Sequence, residues 1–237
     1  MILTKYAKKE WGLISVISWI LILLCIAAGI IGIPAGYILA ILFFLVWFVL
    51  ISFFRDPERK ISENDLELLS PADGVVRDIE LISATDYEQL AGIFEGKDML
   101  RIGIFLSVFD VHINRAPCRF SVKLREHKEG MYYDAKDPRA GKENESMLLA
   151  GTAFAGGNEF PIGLKQIAGA ITRRIVCESV PGDTLQRGER YGMIKYGSRM
   201  EIFLPAKSDL LEIKVRVGER VFAGATVLAE FSKKDKE

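Results

Sequence analysis

The sequence predicts a mainly β protein in which a β-rich domain follows an N-terminal two-helix membrane hairpin. Two observations predict the hairpin: no charged residue lies between Trp11 and Phe54, and a proline interrupts this apolar run near its middle. A third observation predicts the β-rich domain. Beyond residue 60, short runs of Val, Ile, Leu and Phe alternate with Gly, Pro, Asp and Asn. The chain has 237 residues, 50% of them hydrophobic, which is enough for both parts.

The uncharged run is about twice as long as one helix needs to cross ~30 Å of hydrocarbon, so it predicts two spans. The break falls at Ile31–Gly36, where Pro34 lacks a backbone donor. The predicted spans are then about 12–30 and 37–54 within a hairpin domain of residues 1–54. A re-entrant hairpin that enters one leaflet is the alternative. A cleaved signal peptide has a shorter apolar core and does not explain the second run.

Basic residues flank the uncharged run on both sides. They are Lys5, Lys8 and Lys9 before it and Arg55, Arg59 and Lys60 after it. The positive-inside rule therefore places both ends of the hairpin in the cytoplasm. This predicts a cell-membrane protein whose second domain, residues 55–237, lies on the cytoplasmic side.

The charge balance and the cysteines exclude two classes of partner. With 31 basic and 31 acidic residues the net charge is zero, so no nucleic-acid partner is expected. Cys25, Cys118 and Cys177 lack the spacing of a metal-binding motif. We expect no metal site, and we expect the three thiols to be buried and free in a reducing compartment.

Strand-like runs follow one another beyond the hairpin. They are 74–81, 99–107, 111–118, 120–126, 146–154, 171–180, 192–205 and 211–231. Only 161–171 suggests a short helix. The polar stretch 129–146 contains Pro and Gly and predicts a long surface loop, where function often lies.

The segment Val215–Phe231 has valines separated by two glycine-containing turns. This pattern resembles the strand-turn-strand elements of biotinyl and lipoyl carrier domains, the hammerhead or hybrid barrel. A carrier also needs a modifiable lysine at a hairpin tip between small or Met residues, and no lysine here has that setting. A membrane-tethered carrier or structural β module without catalysis is one alternative for the function.

The chain has two histidines, so a reaction that needs an imidazole has two candidates. In a strand, the period of two places Asp110, His112 and Asn114 on one face. Such a face either lines a site or is simply the wet side of a half-exposed strand. His127 lies among charges at a strand end, where solvation is the simpler explanation.

Gly197-Ser198 is a small, flexible pair inside a strand-like run. A serine hydroxyl is a weak nucleophile that needs a base and a carboxylate to orient the base. Asp73, His112 and Ser198 can supply these parts, although the Asp73-Gly74 pair after a proline is also ordinary turn chemistry. The pair is not a GxSxG elbow. A Ser-His-Asp hydrolase is therefore a further alternative, but spacing alone does not select it.

Several blocks together resemble the phosphatidylserine decarboxylase family in its short form found in bacteria and archaea. In chain order the blocks are FFRDPER at 53–59, SPADG at 70–74, FLSVFDVHINRAP at 105–117, ENE at 143–145, QIAG and RRIVC within 166–177, and RYGMIKYGSRMEIFLP at 190–205. They cover nearly the whole chain beyond the hairpin.

The resemblance implies that the chain cuts itself between Gly197 and Ser198. Ser198 then becomes a covalent pyruvoyl cofactor that caps a small (α) subunit, 198–237, paired as a heterodimer with a large (β) subunit, 1–197. The pyruvoyl ketone forms a Schiff base with the serine head group of a membrane phospholipid. The implied reaction converts phosphatidylserine, or archaetidylserine, into the corresponding ethanolamine lipid and CO2 in phospholipid biosynthesis.

The resemblance also implies roles for other residues. His112 is the expected acid that returns a proton to carbon and the base in self-cleavage, with Asp73 orienting it. Longer members have a second histidine where this chain has Arg115. Arg115 and His127 are candidate substrate contacts, and the loop 132–144 is a candidate flap over the head group. The sequence leaves a higher oligomer open.

Overall fold

The computed structural model describes residues 1–134, 137, 139–170, 174–195, 198–206 and 211–231. The chain divides into two compact units, Met1–Pro57 and Glu58–Glu237. A β-rich second unit follows two apolar N-terminal helices, so the predicted fold class is confirmed.

The first unit contains helices α1, Lys8–Ile30, and α2, Ala35–Ser52. Pro34 immediately precedes α2, where its missing N–H costs the helix no hydrogen bond. The mean hydropathy of the apolar windows is 2.8 for α1 with its preceding turn and 2.5 for α2. Both helices are therefore long and apolar enough to cross a membrane, by length and composition.

Close backbone contact and stacked aromatic rings join α1 to α2. A Cβ atom on Gly36 would lie only 2.4 Å from the carbonyl oxygen of Cys25, so glycine permits this approach. The Trp47 ring lies 5.4 Å from that of Trp19, and its Nε1 donates a hydrogen bond to Ser15 Oγ at 3.2 Å. The two helices thus form an antiparallel pair.

The second unit contains fourteen described strands and two short helices. The first strands are β1 Glu67–Leu69, β2 Gly74–Ile82, β3 Met99–Leu106, β4 Ile113–Arg115, β5 Arg119–Lys128, β6 Ser146–Ala155 and β7 Asn158–Ala168. They are followed by β8 Ile175–Cys177, β9 Thr184–Leu185, β10 Arg190–Ile194, β11 Ser198–Pro205, β12 Leu211–Ile213, β13 Arg220–Val221 and β14 Val227–Phe231. The helices are α3 Glu88–Ala91 and α4 Ala140–Glu143.

Eight of these strands form one curled antiparallel sheet with the order β13-β2-β3-β11-β7-β6-β5-β9. Two three-stranded sheets accompany it, with the orders β4-β10-β8 and β1-β14-β12. The strand β11 is central, because β3 pairs with it on one side and β7 on the other. Its residues are therefore hydrogen-bonded along both edges.

Side chains alternate between the two faces of the central strands, and those on one face form part of the main hydrophobic core. In β3 and β11 the residues Ile102, Ile104, Met200 and Ile202 point to one face and are fully buried. A smaller apolar cluster on the opposite face includes Phe203. One face of the sheet thus carries the main core, and the other is only partly apolar.

The predicted helix at 161–171 is wrong, because most of this segment is the strand β7. β6 and β11 pair with β7 along its two edges. All its residues from Ile162 to Ala168 are buried, so both faces of the strand are covered. A strand that is buried on both faces has no period-2 alternation and is easily mistaken for a short helix.

The three cysteines are free thiols, as expected, but the prediction that all three are buried is wrong, because Cys25 and Cys177 are only half-buried. Cys118 is fully buried, and burial raises its pKa to about 12. Cys177 is only half-buried, although burial is again the main cause that raises its pKa. Neither Cys118 nor Cys177 therefore has the low pKa of a reactive thiolate.

Candidate active site

The sequence blocks that carry the family resemblance meet at one end of the large sheet. At this end β2 begins at Gly74, β3 ends at Leu106, β7 ends at Ala168 and β11 begins at Ser198. The next two strands of the sheet also reach this end, because β6 begins at Ser146, which pairs with Lys128, the last residue of β5. We call this edge of strand termini the motif end. Antiparallel pairing thus brings together blocks that are far apart in sequence.

Ser198 lies at the centre of the motif end as the first residue of β11. Leu106 pairs with it on one side and Ala168 on the other. Its relative exposure is 0%, and among the described residues none forms a hydrogen bond with its Oγ. Gly197, the other half of the predicted cleavage site, lies outside the described residues. A buried hydroxyl without a partner is costly in a purely structural role and points to a chemical one.

Gln166 lies on the same face of the sheet as Ser198. It pairs with Met200, two residues along β11, so Gln166 and Ser198 are diagonal neighbours within reach of a long side chain. Its Nε2 donates to Asn114 Oδ1 at 2.8 Å, whereas its buried Oε1 has no hydrogen-bond partner among the described residues. Two polar atoms without partners thus lie on neighbouring positions of one buried face.

Asn114 connects Gln166 to another sequence block. Its Nδ2 donates to the carbonyl oxygen of Pro71 at 3.4 Å, and its relative exposure is 0%. A second buried amide, Asn144, donates to the carbonyl oxygen of Ala168, the residue opposite Ser198, at 2.7 Å. The sequence placed Asn114 on a candidate site-lining face and Asn144 in the candidate flap, but it did not predict these contacts, because they depend on strand pairing between distant segments. For Gln166 the only signal was its inclusion in the QIAG block.

His112 is fully buried, but it does not lie in a strand. β4 begins at Ile113, so the prediction that Asp110, His112 and Asn114 alternate along one face of a strand is wrong. The segment before it is a turn in which the Asp110 N–H donates to the carbonyl oxygen of Ser107 at 3.0 Å. The physical reason is that the Asp110 carboxylate binds the N–H and hydroxyl of Ser107, which closes the turn.

The environment of His112 fixes its ring. Nδ1 lies 2.9 Å from the backbone carbonyl oxygen of Asp110, which only accepts, so Nδ1 carries the proton of the neutral ring. Nε2 then carries the lone pair that a general base needs. The Ile194 N–H donates to the carbonyl oxygen of His112 at 3.2 Å, and Ile194 precedes Ser198 by four residues. Strand pairing thus places the histidine backbone next to the chain that leads into β11.

Asp73 does not form the predicted hydrogen bond to His112. Its Oδ2 accepts from Arg59 at 2.7 Å and its Oδ1 accepts from the Ala223 N–H at 2.7 Å. The carboxylate is nearly fully buried, and burial is the largest cause that raises its pKa above the usual value. The ring of His112 is instead oriented by a backbone carbonyl. Asp73 connects the block that contains Arg59 to the segment that follows β13.

The two candidate substrate contacts occupy different environments. Arg115 is 4% exposed, and its guanidinium donates to the Gly188 carbonyl oxygen at 3.0 Å, so it is not a solvated arginine. His127 lies near the end of β5 with its side chain 44% exposed, and its Nε2 is 3.1 Å from Glu145 Oε1. Both substrate roles remain predictions.

The opposite face of the sheet behind Ser198 carries an ion cluster. Arg199 contacts Asp78 at 2.8 Å and Glu201 at 2.9 Å, and Arg101 contacts Glu80 at 2.6 Å. Glu201 is fully buried. Burial alone would lower the pKa of Arg199, but Asp78 and Glu201 raise it. These charges anchor the residue that directly follows Ser198.

Comparison with known proteins identifies the family of this chain. The family model described as Phosphatidylserine decarboxylase matches residues 47–229. A phosphatidylserine decarboxylase proenzyme of Geobacter metallireducens is 36% identical over 87% of this chain and 89% of its own. The corresponding proenzyme of Trichlorobacter lovleyi is 42% identical over 80% of this chain and 79% of its own, and that of Geobacter sulfurreducens is 44% identical over 74% of each.

The mainly β domain with its buried serine thus lies in a chain that is similar over most of its length to enzymes that remove a carboxyl group, and the protein is a decarboxylase. The match extends over the sheet and every block at the motif end. The chain belongs to the phosphatidylserine decarboxylase family. The family resemblance inferred from the sequence is therefore confirmed.

Proposed function

We propose that the protein decarboxylates phosphatidylserine, or its archaeal counterpart archaetidylserine, after it cuts its own chain between Gly197 and Ser198. The products are the ethanolamine lipid and CO2, which is a step of phospholipid biosynthesis. The observation that carries the proposal is the fully buried Ser198 Oγ, which has no hydrogen-bond partner among the described residues. The relatives are named proenzymes, which supports a processing step.

The self-cleavage uses atoms of the chain itself. Ser198 Oγ loses its proton and attacks the carbonyl carbon of Gly197, so a C–O bond forms and the C–N bond breaks as nitrogen takes up a proton. Loss of the Ser198 α-proton then breaks the bond between Cβ and Oγ, which releases Gly197 as a carboxylate. The remaining enamine tautomerises to an imine and reacts with water, which releases ammonia and leaves a ketone at position 198.

The site fits a pyruvoyl group at position 198. Ser198 opens a central strand, and its Oγ position is buried and free of competing hydrogen bonds among the described residues. A pyruvoyl ketone supplies an electron sink for the electron pair that CO2 leaves behind. The protein's own contribution is to exclude water from this position and to place proton carriers beside it.

We assign the proton transfers to His112. With Nδ1 donating to the Asp110 carbonyl oxygen, Nε2 is the basic nitrogen that can remove the Ser198 hydroxyl proton. The same ring can return a proton to carbon after CO2 leaves. Asp73, Arg115 and His127 belong to the proposed site in supporting roles: Asp73 holds the segment after β13, and Arg115 and His127 are the candidate contacts for the anionic head group.

The N-terminal helices give the proposed enzyme its location. Residues 1–54 form a hairpin in the cell membrane, and residues 55–237 form the catalytic domain on the cytoplasmic side, as the flanking basic residues favour. The two fragments of each chain, 1–197 and 198–237, stay together as a heterodimer. Anchoring confines the enzyme to the bilayer that contains its lipid substrate, which raises the effective substrate concentration.

The proposed function is tested with the purified full-length protein. We expect two fragments that break at 197/198 by mass spectrometry, release of CO2 from phosphatidylserine, and inactivation by borohydride or hydroxylamine, which attack ketones. Parallel assays with archaetidylserine identify the lipid backbone that the enzyme prefers. An intact chain that reacts with a fluorophosphonate would support the serine-hydrolase alternative instead, and an intact, inactive chain would support the carrier alternative.

Gln166 is a proposed positioning residue for the cleavage step. Its Oε1 can accept the Ser198 hydroxyl hydrogen and hold Oγ in place, because the two side chains are diagonal neighbours on one buried face. We expect Gln166→Leu to slow self-cleavage by about 10-fold, the value of one lost hydrogen bond. The measurement is a time course of fragment formation after cell-free synthesis.

The control for this prediction is Met200→Leu, which changes volume little at the position that pairs with Gln166. It should cut at the wild-type rate. Gln166→Glu keeps an acceptor oxygen and should cut faster than Gln166→Leu. Thermal melting of each uncut variant shows that it is folded. Equal cleavage rates for folded Gln166→Leu and wild type would contradict the positioning role.

A further inference from the structure

Large apolar side chains are exposed in the second unit mainly near the motif end. Among the described residues they include Val108 and Phe109 after β3, Met131 and Tyr132 after β5, and Phe222 after β13. Phe109 is the most exposed of them at 80%. An exposed cluster of this kind marks a surface that contacts something apolar.

The turn that carries Val108 and Phe109 is held in place by hydrogen bonds. The Asp110 carboxylate accepts from both the N–H and the hydroxyl of Ser107, and its second oxygen contacts Arg220 at 2.6 Å. Burial alone would raise the pKa of Asp110, but the hydrogen bonds from Ser107 and Arg220 lower it, so it stays ionised. Phe109 is thus presented to solvent by a fixed turn.

Phe222 lies on the other side of the same ion pair. In β13, Val221 pairs with Gly74 at the motif end, and Phe222 follows it directly. Phe222 lies two residues after Arg220, whose guanidinium binds Asp110. The guanidinium of Arg59 lies 5.6 Å from the centre of the Phe222 ring. The Asp110–Arg220 ion pair therefore joins the Phe109 turn to the segment that contains Phe222.

The charges around these residues suit an anionic surface. Arg220 keeps 54% of its side chain exposed beside Phe222, whereas its partner Asp110 is almost buried. Exposed arginines that flank apolar residues attract acidic lipids near the bilayer surface. Arg220 therefore gives the side that contains Phe109 and Phe222 a partly exposed basic group that suits a bilayer surface.

We propose that Val108, Phe109 and Phe222, here called the docking face, insert into the surface of a phospholipid bilayer. Ser198 and His112 are fully buried, and Phe109 precedes His112 by only three residues. A lipid head group can then pass from the bilayer to the motif end without crossing water. The inference relies on the proposed function for its substrate, but the insertion itself can be tested without catalysis.

The first experiment measures insertion directly in full-length protein reconstituted into bilayers of phosphatidylglycerol and phosphatidylcholine. A nitroxide is attached at Phe109→Cys, Phe222→Cys or Leu81→Cys after Cys25 and Cys177 are replaced by alanine. Leu81 is the matched control, because it is 67% exposed at the opposite end of β2. We expect labels at 109 and 222 to collide with oxygen, which concentrates in lipid, more than with a water-soluble nickel chelate. The label at 81 should show the reverse.

Two results overturn the proposal. If labels at 109 and 222 collide more with the nickel chelate than with oxygen, as the label at 81 should, the docking face lies in water. Labels shielded from both reagents show contact with protein, such as a second copy of the chain. Neither result depends on decarboxylation, so failure of this proposal is distinguishable from failure of the proposed function.

The second experiment compares two forms of phosphatidylserine. The double variant Phe109→Ser and Phe222→Ser should lose about 10-fold or more in kcat/KM with bilayer phosphatidylserine, because it loses the apolar area that two phenyl rings bury in the bilayer. With a water-soluble short-chain phosphatidylserine it should stay within about 2-fold of wild type. Leu81→Ser should change neither value. Equal losses with both substrates contradict a docking role.

Discussion

Replacing Ser198 with alanine is expected to leave one uncut polypeptide of 26.5 kDa without detectable decarboxylase activity. The variant lacks the hydroxyl that attacks the Gly197 carbonyl carbon, so neither the cut nor the ketone can form. We expect the rate to fall to that of the uncatalysed reaction, a loss of at least about 10⁶-fold. Intact mass and CO2 release from phosphatidylserine measure the two effects.

Ser146→Ala is the matched control for this variant. Ser146 is 3% exposed and begins β6 at the same end of the sheet, so its hydroxyl tests the general effect of removing a buried serine oxygen there. This control should be cut and active. An uncut Ser198→Ala protein with wild-type activity would refute self-processing as the origin of the catalytic group.

Replacing His112 with glutamine is expected to slow self-cleavage by about 10²- to 10⁴-fold, the usual contribution of a general base. Glutamine can keep a hydrogen bond to the Asp110 carbonyl oxygen, but it cannot remove a proton. The fraction cut over time is the first measurement. Decarboxylation per mole of cut protein is the second, and it isolates the proposed return of a proton to carbon.

His127→Gln provides the comparison, since its side chain is 44% exposed and contacts Glu145. It should cut at a rate close to that of wild type. Thermal melting confirms that His112→Gln is folded, because a fully buried ring is being replaced. If folded His112→Gln is cut as fast as wild type, the general base must be another group.

The fold class could be predicted because its signals are local. An uncharged run with a central proline predicts two helices, and α1 and α2 end and begin within a few residues of the predicted limits. Runs of branched residues predicted β2 and β3 closely. The strand β7 was missed because its burial on both faces depends on β6 and β11, which are not local to it.

The candidate site could be predicted only in part, for a related reason. Ser198 and His112 have side chains that can carry out the chemistry, and the family resemblance of the blocks around them implied their roles. The contact of Asp73 with Arg59 and Ala223, and that of Gln166 with Asn114, join residues far apart in the chain. Strand register decides such contacts, and a single sequence does not reveal register. A histidine held by a backbone carbonyl leaves no sequence signal either.

Because β11 lies in the centre of the sheet, the proposed self-cleavage depends on the sheet having formed. β11 pairs with β3 along its whole length and with β7 along most of it. Arg199, its second residue, forms an ion pair with Asp78 on the face opposite Ser198. The proposed nucleophile, Ser198 at the start of β11, is held in place only once these partners have assembled. The proposed cut therefore works as a checkpoint. In the proposed self-cleavage, a misfolded chain acquires no reactive ketone, and a folded chain stays joined through the pairing of β11 with β3 and β7 after its covalent link is lost.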